Sequence, residues 1–377
     1  MRAEDPRLIE ARARPISEIV DLLQIDGLRR AGAELTGPCP DCGGHDRFSV
    51  NTRKGVFGCR RCGARGDGIA MIRWLMHFTL PEALTWLCGD RPAELSPEDL
   101  ARRRSRAAKA MAKADDDAAR YRRRAENEAR GLWNAGLPAE GSPVRAYLAA
   151  RGLTKDLLPV IPDCLRHHPD LPYMAQDASA SSAGRVWTEI HRGPAMLAAV
   201  QRPSGSVMGV HRTWIDVDRP RGKARIELAG QPQPVKKTWG SIKGGAIRLH
   251  TPSGDWDTLV MGEGIETTLT ALVSGRYPGA AFWAGVSLGN IAGRRRSGPG
   301  LKFAGLPDMQ DAAAFVPPLW VRQLVLIEDG DSEPKFTRAS MLSGARRAMA
   351  CIPGLSARIV PCPDGEDLND VLLEDDP

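Results

Sequence analysis

The stretch Leu259-Val260-Met261-Gly262-Glu263-Gly264 and a second stretch, Leu324-Val325-Leu326-Ile327-Glu328-Asp329-Gly330-Asp331, decide the fold of this chain. Each is a short apolar run that stops at a carboxylate and a glycine, a pattern typical of a buried parallel strand. Such strands deliver their last side chains to one edge of an α/β sheet, which is where ligands bind. Carboxylate oxygens at that edge suit magnesium, so the two stretches predict chemistry on phosphates.

The sequence around these two runs alternates between strand and helix patterns, which predicts a parallel sheet flanked by helices over residues 258–377. The predicted elements are Leu259–Met261, Thr267–Val273, Ala281–Ala284, Leu324–Ile327, Ala339–Met349 and Ala357–Val360. Upstream, Ala195–Gln201 and Ser206–Ile215 flank the turn residues 202–205 and predict a hairpin. We therefore expect an α/β chain (α+β overall), with a mixed α+β basic subdomain over residues 131–257.

Charge is concentrated in one segment of the 377-residue chain, whose formal net charge is +6. Residues 101–130 hold eleven Lys/Arg against five Asp/Glu. Residues 96–130 contain few apolar side chains, which predicts a solvated basic helix linking two domains. Because phosphate binding depends on how many cations can face one polyanion, nucleic acid is the first partner to expect.

Neither a secretory leader nor a membrane span is predicted. The N-terminal residues, 1–6, lack the apolar core of a signal peptide, and no run approaches the roughly eighteen apolar residues of a spanning helix. We expect a cytoplasmic protein with no membrane partner.

Four of the eight cysteines stand in two C-x-x-C pairs, Cys39/Cys42 and Cys59/Cys62, with sixteen residues between the pairs. This spacing predicts a four-cysteine zinc ribbon with one structural Zn²⁺. A turn over residues 51–55 would join two strands and bring the pairs together, and we expect the ribbon to lie in a small domain over residues 1–95. A complete cysteine set makes His45 an unneeded ligand. Basic side chains surround the pairs: Arg47, Arg53, Lys54, Arg60, Arg61 and Arg65.

Two aromatic residues of the ribbon allow two interpretations. Phe48 and Phe57 would stack on bases of single-stranded nucleic acid if they were exposed, but burial in the small core is the expected outcome. Helices are predicted around Ile16–Leu28 and over Ile69–Phe78. A further helix is predicted to open at Thr79, with Glu82 completing a capping box.

The motifs together resemble a known family. The ribbon Cys39–Cys62, followed by Gly66-Asp67-Gly68, resembles the zinc-binding domain of bacterial and phage primases. Glu263-Gly264, Asp329-Gly330-Asp331 and residues 364–370, Asp-Gly-Glu-Asp-Leu-Asn-Asp, are similar to the three motifs of a Toprim domain. The order of the motifs resembles DnaG-type primases, and Gly-Glu-Gly-Ile-Glu-Thr, residues 262–267, is closest to the phage and plasmid branch.

The resemblance implies roles for four acids. Glu263 matches a glutamate thought to act in acid/base chemistry or metal binding, Asp329 and Asp331 match paired metal-binding aspartates, and Asp367 matches a further metal-binding acid. The ion would be Mg²⁺ or Mn²⁺. Two positions depart from the family: Thr267 stands where an aspartate is usual, beside Glu266, and Asn369 replaces a late aspartate. For Asp329-Gly330-Asp331 alone, a surface turn is the ordinary alternative.

Cations upstream of the acidic motifs are candidates for holding nucleotide and template, because a polymerising site must bind triphosphate and backbone. The candidates are His211 and Arg212 on a probable strand, then Lys236, Lys237, Lys243 and Arg248. In primases of this type, a basic region before the Toprim domain has that role, which favours Arg212, Lys237, Lys243 and Arg248. Ordinary surface positions are the alternative for each of them. The cluster Arg294-Arg295-Arg296 is either a phosphate contact or a solvated loop.

The resemblance implies a phage- or plasmid-type DNA primase, a nucleotidyltransferase that joins ribonucleoside triphosphates into short RNA primers on a single-stranded DNA template. The sequence contains no G-x-x-x-x-G-K-[ST] loop, so the expected helicase partner is a separate protein. Two alternatives stay open. One is a non-catalytic zinc-ribbon/Toprim DNA-binding protein of replication or recombination. The other is a Toprim nuclease or topoisomerase, the latter needing a nucleophilic tyrosine.

Overall fold

The computed structural model describes residue 5 and residues 7–90, 97–176, 187–296, 300–301, 303–328, 333–362 and 368–369. Its contacts divide the chain into two units, residues 1–120 and residues 121–377. Asp329, Asp331 and Asp367 lie outside the described residues.

The first unit contains one antiparallel sheet and a set of short helices. Its elements are α1 (Arg7–Ala13), α2 (Ile16–Leu22), β1 (Arg29–Ala31), β2 (Glu34–Cys39), β3 (Gly43–Asn51), β4 (Val56–Cys59), β5 (Arg65–Asp67), α3 (Gly68–Met76) and α4 (Leu80–Cys88). The five strands pair in sequence order. The predicted turn at residues 51–55 is confirmed, because β3 and β4 pair with Asn51 opposite Val56.

Helix α2 is shorter than predicted, ending at Leu22 rather than Leu28. The N–H of Gln24 donates to Asp21 O at 3.1 Å and the N–H of Ile25 donates to Val20 O at 3.2 Å. This is a Schellman motif, in which the first residue beyond the cap takes a left-handed backbone. Gln24 takes that conformation, with φ 49°. This early end was not predictable from the sequence, because glycine is the usual residue at this position.

Helix α4 begins as predicted. The N–H and the hydroxyl of Thr79 both donate to Glu82 Oε2, at 2.7 and 2.6 Å. The core of the unit lies between the helices and the sheet, where Ile16 and Ile19 of α2 are buried with Phe48, Met71 and other apolar side chains.

Helix α5 (Pro97–Ala135) crosses from the first unit into the second. Residues 122–124, an arginine cluster, are exposed. Beyond them, Glu126, Ala129 and Trp133 are buried on one face, at helical spacing. Arg202 forms an ion pair with Glu126 at 2.6 Å. The last turns of α5 therefore pack against other residues of the second unit.

The second unit contains two larger sheets and a β-ribbon. Its elements begin with β6 (Leu137–Pro138), α6 (Pro143–Ala149), β7 (Leu165–Gln176), β8 (Trp187–Gln201), β9 (Val207–Trp214), a 3₁₀ turn (Pro220–Gly222), β10 (Glu227–Leu228), β11 (Gln231–Pro232) and β12 (Lys236–Gly240). They continue with β13 (Ile247–His250), β14 (Thr258–Gly262), α7 (Ile265–Val273), β15 (Ala281–Ala284), α8 (Leu288–Ala292), β16 (Gln323–Ile327), α9 (Pro334–Cys351) and β17 (Ser356–Val360).

The first of these sheets is antiparallel and has the strand order β12-β9-β8-β7-β6. The predicted hairpin is confirmed as β8 and β9, which pair with Leu197 opposite Arg212. Strand β12 forms the edge, and it pairs with β9 so that Lys237 lies opposite Arg212 and Lys236 lies opposite Thr213. Successive residues of β12 therefore face opposite sides of the sheet.

The second sheet has the order β13-β15-β14-β16-β17. The predicted strands and helices of residues 258–377 are confirmed: β14 is parallel to β15 and β16, and β16 is parallel to β17. One addition is the antiparallel edge strand β13. Leu259 and Met261 pack toward α8 and α9, whereas Val260 packs toward α7. Both faces are covered, which explains the continuous apolar runs in the sequence.

Within the part of the chain that the structure describes, no helix has the length and apolar character needed to cross a membrane.

Candidate functional site

The four predicted cysteines come together at one end of the ribbon sheet. Their sulfur atoms all lie within 4.8 Å of one another, with Cys39 Sγ 3.9 Å from Cys62 Sγ and Cys42 Sγ 3.6 Å from Cys59 Sγ. A tetrahedral zinc ion with Zn–S bonds of about 2.3 Å would place its sulfurs about 3.8 Å apart. Both the donor set and its spacing therefore fit one structural Zn²⁺.

Backbone geometry positions this cluster. Cys39 ends β2 and Cys59 ends β4, and each is followed by a tight turn that returns the second cysteine of its pair. The N–H of Cys42 points at Cys39 Sγ, 3.5 Å away. Burial alone would raise the pKa of the Cys59 thiol, but N–H groups of Cys62 and Arg61 lower that pKa to about 6. Such N–H groups stabilise the thiolate, which is the form that binds metal.

The surface around the cysteines is basic, and the aromatic residues beneath it are buried. Arg47 is half-buried. The other predicted cations are exposed: Arg53, Lys54, Arg60, Arg61 and Arg65. Phe48 and Phe57 are buried, and Phe57 stacks on Trp74 with ring centres 5.4 Å apart. The interpretation of these aromatics as core is confirmed, so a nucleic acid at this face would meet charge rather than stacking platforms.

The acidic edge lies in the second unit, where β14 and β16 are adjacent parallel strands. Their register, with Met261 opposite Leu326, brings Glu263 and Glu328 to the same edge of the sheet. Glu328 pairs with Arg338 of α9 at 3.1 Å. Among the described residues, the four cysteines are the one group of side chains placed to hold a metal ion.

A tight connection follows Glu263 and leads into α7. The hydroxyl of Thr268 donates to Gly264 O at 2.7 Å and accepts from the N–H of Gly262 at 3.2 Å. A Cβ added at Gly262 would lie 2.8 Å from this hydroxyl, so only glycine allows the strand to approach the helix so closely. The direction in which Glu263 leaves the sheet is therefore set by the first turn of α7.

A buried polar network at the start of α7 was missed at the level of sequence. Glu266 is 3% exposed, and its two carboxylate oxygens accept from the Tyr147 hydroxyl and from Lys236 Nζ, the latter at 2.9 Å. Although burial opposes ionisation, Lys236 and the Tyr147 hydroxyl hold the pKa of Glu266 far below its usual range. The available signal was a lone carboxylate in an otherwise uncharged helix.

His211 lies beside this network. Its Nδ1 is 3.1 Å from Thr238 Oγ1, on the same face of the sheet as Lys236. Burial and, next, the charge of Lys236 lower the pKa of His211 to about 4. The imidazole is neutral at pH 7, so Lys236 is the cation that balances Glu266.

The opposite face of the same strands carries what we call the basic-aromatic layer, which consists of Tyr173, Arg212, Trp214, Lys237 and Trp239. Lys237 Nζ lies 3.7 Å from the ring centre of Tyr173 and donates to Met174 O at 2.9 Å. The Arg212 guanidinium lies 5.3 Å from the Trp214 ring centre and 5.9 Å from that of Trp239. Burial lowers the pKa of Arg212 to about 10, and burial together with Arg212 lowers that of Lys237 to about 8.

The other two predicted cations are not part of this layer. Lys243 pairs with Asp311 at 2.5 Å, and Arg248 donates to the carbonyls of Arg202 and Pro203 at 2.6 and 3.0 Å. The structure thus brings together Arg212 and Lys237 of the predicted set. Lys243 and Arg248 instead contact residues outside the basic-aromatic layer. In the loop cluster of residues 294–296, Arg294 pairs with Asp308 at 2.5 Å.

Comparisons with known proteins support the assignment of the first unit. Residues 9–102 match the family model of the CHC2 zinc finger of DnaG (Zn_ribbon_DnaG), and residues 123–249 match a domain of unknown function (DUF7146). The resemblance of the ribbon to the zinc-binding domain of DnaG-type primases is therefore confirmed. A search of curated protein sequences finds no match to the chain.

Solved structures with distant likeness to the chain are primases. The zinc-binding and RNA polymerase domains of the Aquifex aeolicus primase align at 14% identity and a TM-score of 0.36, over 99% of this chain and 83% of that one. The primase fragment of the bacteriophage T7 primase-helicase protein aligns at 14% identity and a TM-score of 0.32, over 90% and 95%. A DnaG primase catalytic domain bound to single-stranded DNA aligns at 14% identity and a TM-score of 0.35, over 68% of this chain and 76% of that one.

Proposed function

We propose that this protein is a DNA primase that joins ribonucleotides on a single-stranded DNA template. The observation that carries the proposal is the CHC2 zinc finger over residues 9–102, with its four cysteine sulfurs at zinc-binding distances. The second support is the sheet edge at which β14 and β16 end side by side, because the carboxyl edge of parallel strands is a ligand-binding edge.

In this proposal the ribbon binds template and the acidic edge performs nucleotidyl transfer. Exposed arginines at the ribbon attract the DNA backbone without reading its sequence. Glu263, Asp329, Asp331 and Asp367 hold Mg²⁺ or Mn²⁺, which would supply charge neutralisation for the triphosphate and activation of the attacking hydroxyl. Arg212 and Lys237 attract the phosphates of nucleotide and template, and their aromatic supports hold these cations in place.

The four-part domain organisation remains part of the proposal: a ribbon over residues 1–95, a basic helical linker over 96–130, a basic part of the catalytic core over 131–257 and a Toprim domain over 258–377. A phage- or plasmid-type replication role and a separate helicase partner belong to the same proposal. The replication role is supported by the wording of the motif at residues 262–267.

The test is the chemistry of the product. Purified protein, single-stranded DNA, Mg²⁺ and ribonucleoside triphosphates should give short RNA products that keep a 5′-triphosphate, with one pyrophosphate released for each bond formed. Substitution of Glu263→Gln should remove the products, while Asp218→Ala, a change of an exposed aspartate in the loop after β9, should leave them. Binding of single-stranded DNA without any product would favour the non-catalytic alternative, and relaxation of supercoiled plasmid would favour a topoisomerase.

A further inference from the structure

Glu266 could be either a metal ligand at the acidic edge or a residue that positions its neighbours. The resemblance leaves Thr267 in place of a usual aspartate, and the neighbouring Glu266 is the obvious candidate to supply the missing carboxylate. The contacts of Glu266 argue against that role. Both of its oxygens are already engaged, by the Tyr147 hydroxyl and by Lys236 Nζ, and its side chain is 4% exposed.

The partners of Glu266 come from two other elements of the same unit. Tyr147 belongs to α6 and is fully buried, and Lys236 belongs to the edge strand β12. Glu266 itself lies in the first turn of α7, two residues after the N-cap residue Gly264. A carboxylate there is favoured by the positive end of the helix dipole. The network therefore fastens the beginning of α7 to both α6 and β12.

Two proposed functional residues, Glu263 and Lys237, lie close to this network in the sequence. Glu263 immediately precedes Gly264, and the hydrogen bonds of Thr268 to Gly262 and Gly264 fix its connection to the helix. Lys237 immediately follows Lys236 on β12 and belongs to the basic-aromatic layer on the other side of the sheet. Displacement of the ion pair between Lys236 and Glu266 would move both groups.

We propose that Tyr147, Lys236 and Glu266 form a positioning strut that fixes Glu263 relative to the phosphate-binding strand β12, and that Glu266 is not a metal ligand. This inference rests on the proposed function. Tyr147, Lys236 and Glu266 are positioning residues, because they act through Glu263 and Lys237 rather than by touching substrate.

The test compares three variants of the full-length, zinc-loaded protein. Tyr147→Phe and Lys236→Met each remove one support of the strut. Ser343→Ala is the matched control, because it removes a buried hydrogen bond to Ala292 O, 2.9 Å long, elsewhere in the same unit. Primer synthesis is measured as a function of Mg²⁺ and of nucleotide concentration, and Mn²⁺ affinity is measured independently by electron paramagnetic resonance.

We expect the two strut variants to lower kcat about 10- to 100-fold, because small misplacements of a reacting group are costly. The Mg²⁺ concentration for half-maximal activity and the Mn²⁺ dissociation constant should rise in parallel, and single-stranded DNA binding through the ribbon should be retained. A merely structural role would lower the folded fraction without moving either metal constant, as expected for Ser343→Ala.

Two failures are distinguishable. If wild-type protein makes primers that disappear in Asp329→Ala/Asp331→Ala, but the strut variants keep the metal constants of Ser343→Ala, the strut is overturned and the proposed function stands. If wild-type protein makes no primers, the proposed function fails and the strut fails with it. A loss of Mn²⁺ affinity in Glu266→Gln that greatly exceeds the loss in Lys236→Met and Tyr147→Phe would identify Glu266 as a ligand and overturn the inference.

Discussion

Removal of the cation that balances Glu266 should destabilise the second unit strongly. In Lys236→Met, a carboxylate that is 4% exposed would keep the Tyr147 hydroxyl but lose its charge partner. Breaking a buried ion pair on one side costs about 3–5 kcal/mol. Because the Lys236 side chain is 32% exposed and one hydrogen bond to Glu266 remains, we expect the lower end, about 3 kcal/mol.

The assay is urea unfolding of zinc-loaded protein followed by tryptophan fluorescence, since seven of the nine tryptophans lie after residue 120. With an m-value of about 3 kcal/mol per molar urea, the midpoint should fall by about 1 M. Arg192→Met breaks a pair with Glu189 whose side chains are 45% and 40% exposed, and should change the free energy of unfolding by less than about 1 kcal/mol.

The double variant Lys236→Met/Glu266→Gln makes this test specific, because it removes both charges and leaves an amide that can still accept from Tyr147. It should be more stable than Lys236→Met alone. A loss of stability in Lys236→Met no larger than in Arg192→Met would contradict a buried, stabilising ion pair. The same holds if the double variant loses as much stability as the two single variants added together.

Three further outcomes are expected. Zinc analysis should find about one ion per chain, and Cys42→Ser should lose it while Cys88→Ser, in the same unit but outside the cluster, keeps it; equal zinc in both variants would contradict the site. Because the pKa of Lys237 is lowered to about 8, its charge is present at pH 7 and is lost as the pH rises through 8. The slope of log binding constant against log salt concentration for DNA should therefore be shallower at pH 9 than at pH 7, by about 0.7. Lys237→Arg should remove that difference between the two pH values. Arg60→Gln/Arg61→Gln at the exposed ribbon surface should reduce the same slope at pH 7 by about 1.4, and an unchanged slope would exclude this surface as a phosphate contact.

The elements that follow from local sequence were predictable. The central strands β14 and β16 could be placed because both faces of the sheet are covered there and each apolar run ends at a glycine or a carboxylate. The zinc cluster could be placed because the spacing of the four cysteines leaves few other uses for them. In both cases the signal lies within a few residues of the feature that it predicts.

The features that the sequence did not reveal depend on distant contacts. Glu266 meets Tyr147 across 119 positions of the chain, and only that hydrogen bond and the ion pair with Lys236 make a buried charge there tolerable. The four predicted cations looked equivalent in sequence, yet Arg212 and Lys237 share one face whereas Lys243 faces Asp311. The early end of α2 arises because Gln24 takes a conformation that usually requires glycine.

The most direct measurement of the central claim is incorporation of labelled ribonucleotides on single-stranded DNA with Mg²⁺, in wild-type protein and in Asp329→Ala/Asp331→Ala. We expect short products from wild-type protein, their disappearance in the double variant, and retention of zinc and of DNA binding in both proteins. Products of equal yield from the double variant would place the chemistry elsewhere. No products from wild-type protein over a broad set of templates, with DNA binding intact, would contradict the claim that this protein is a primase.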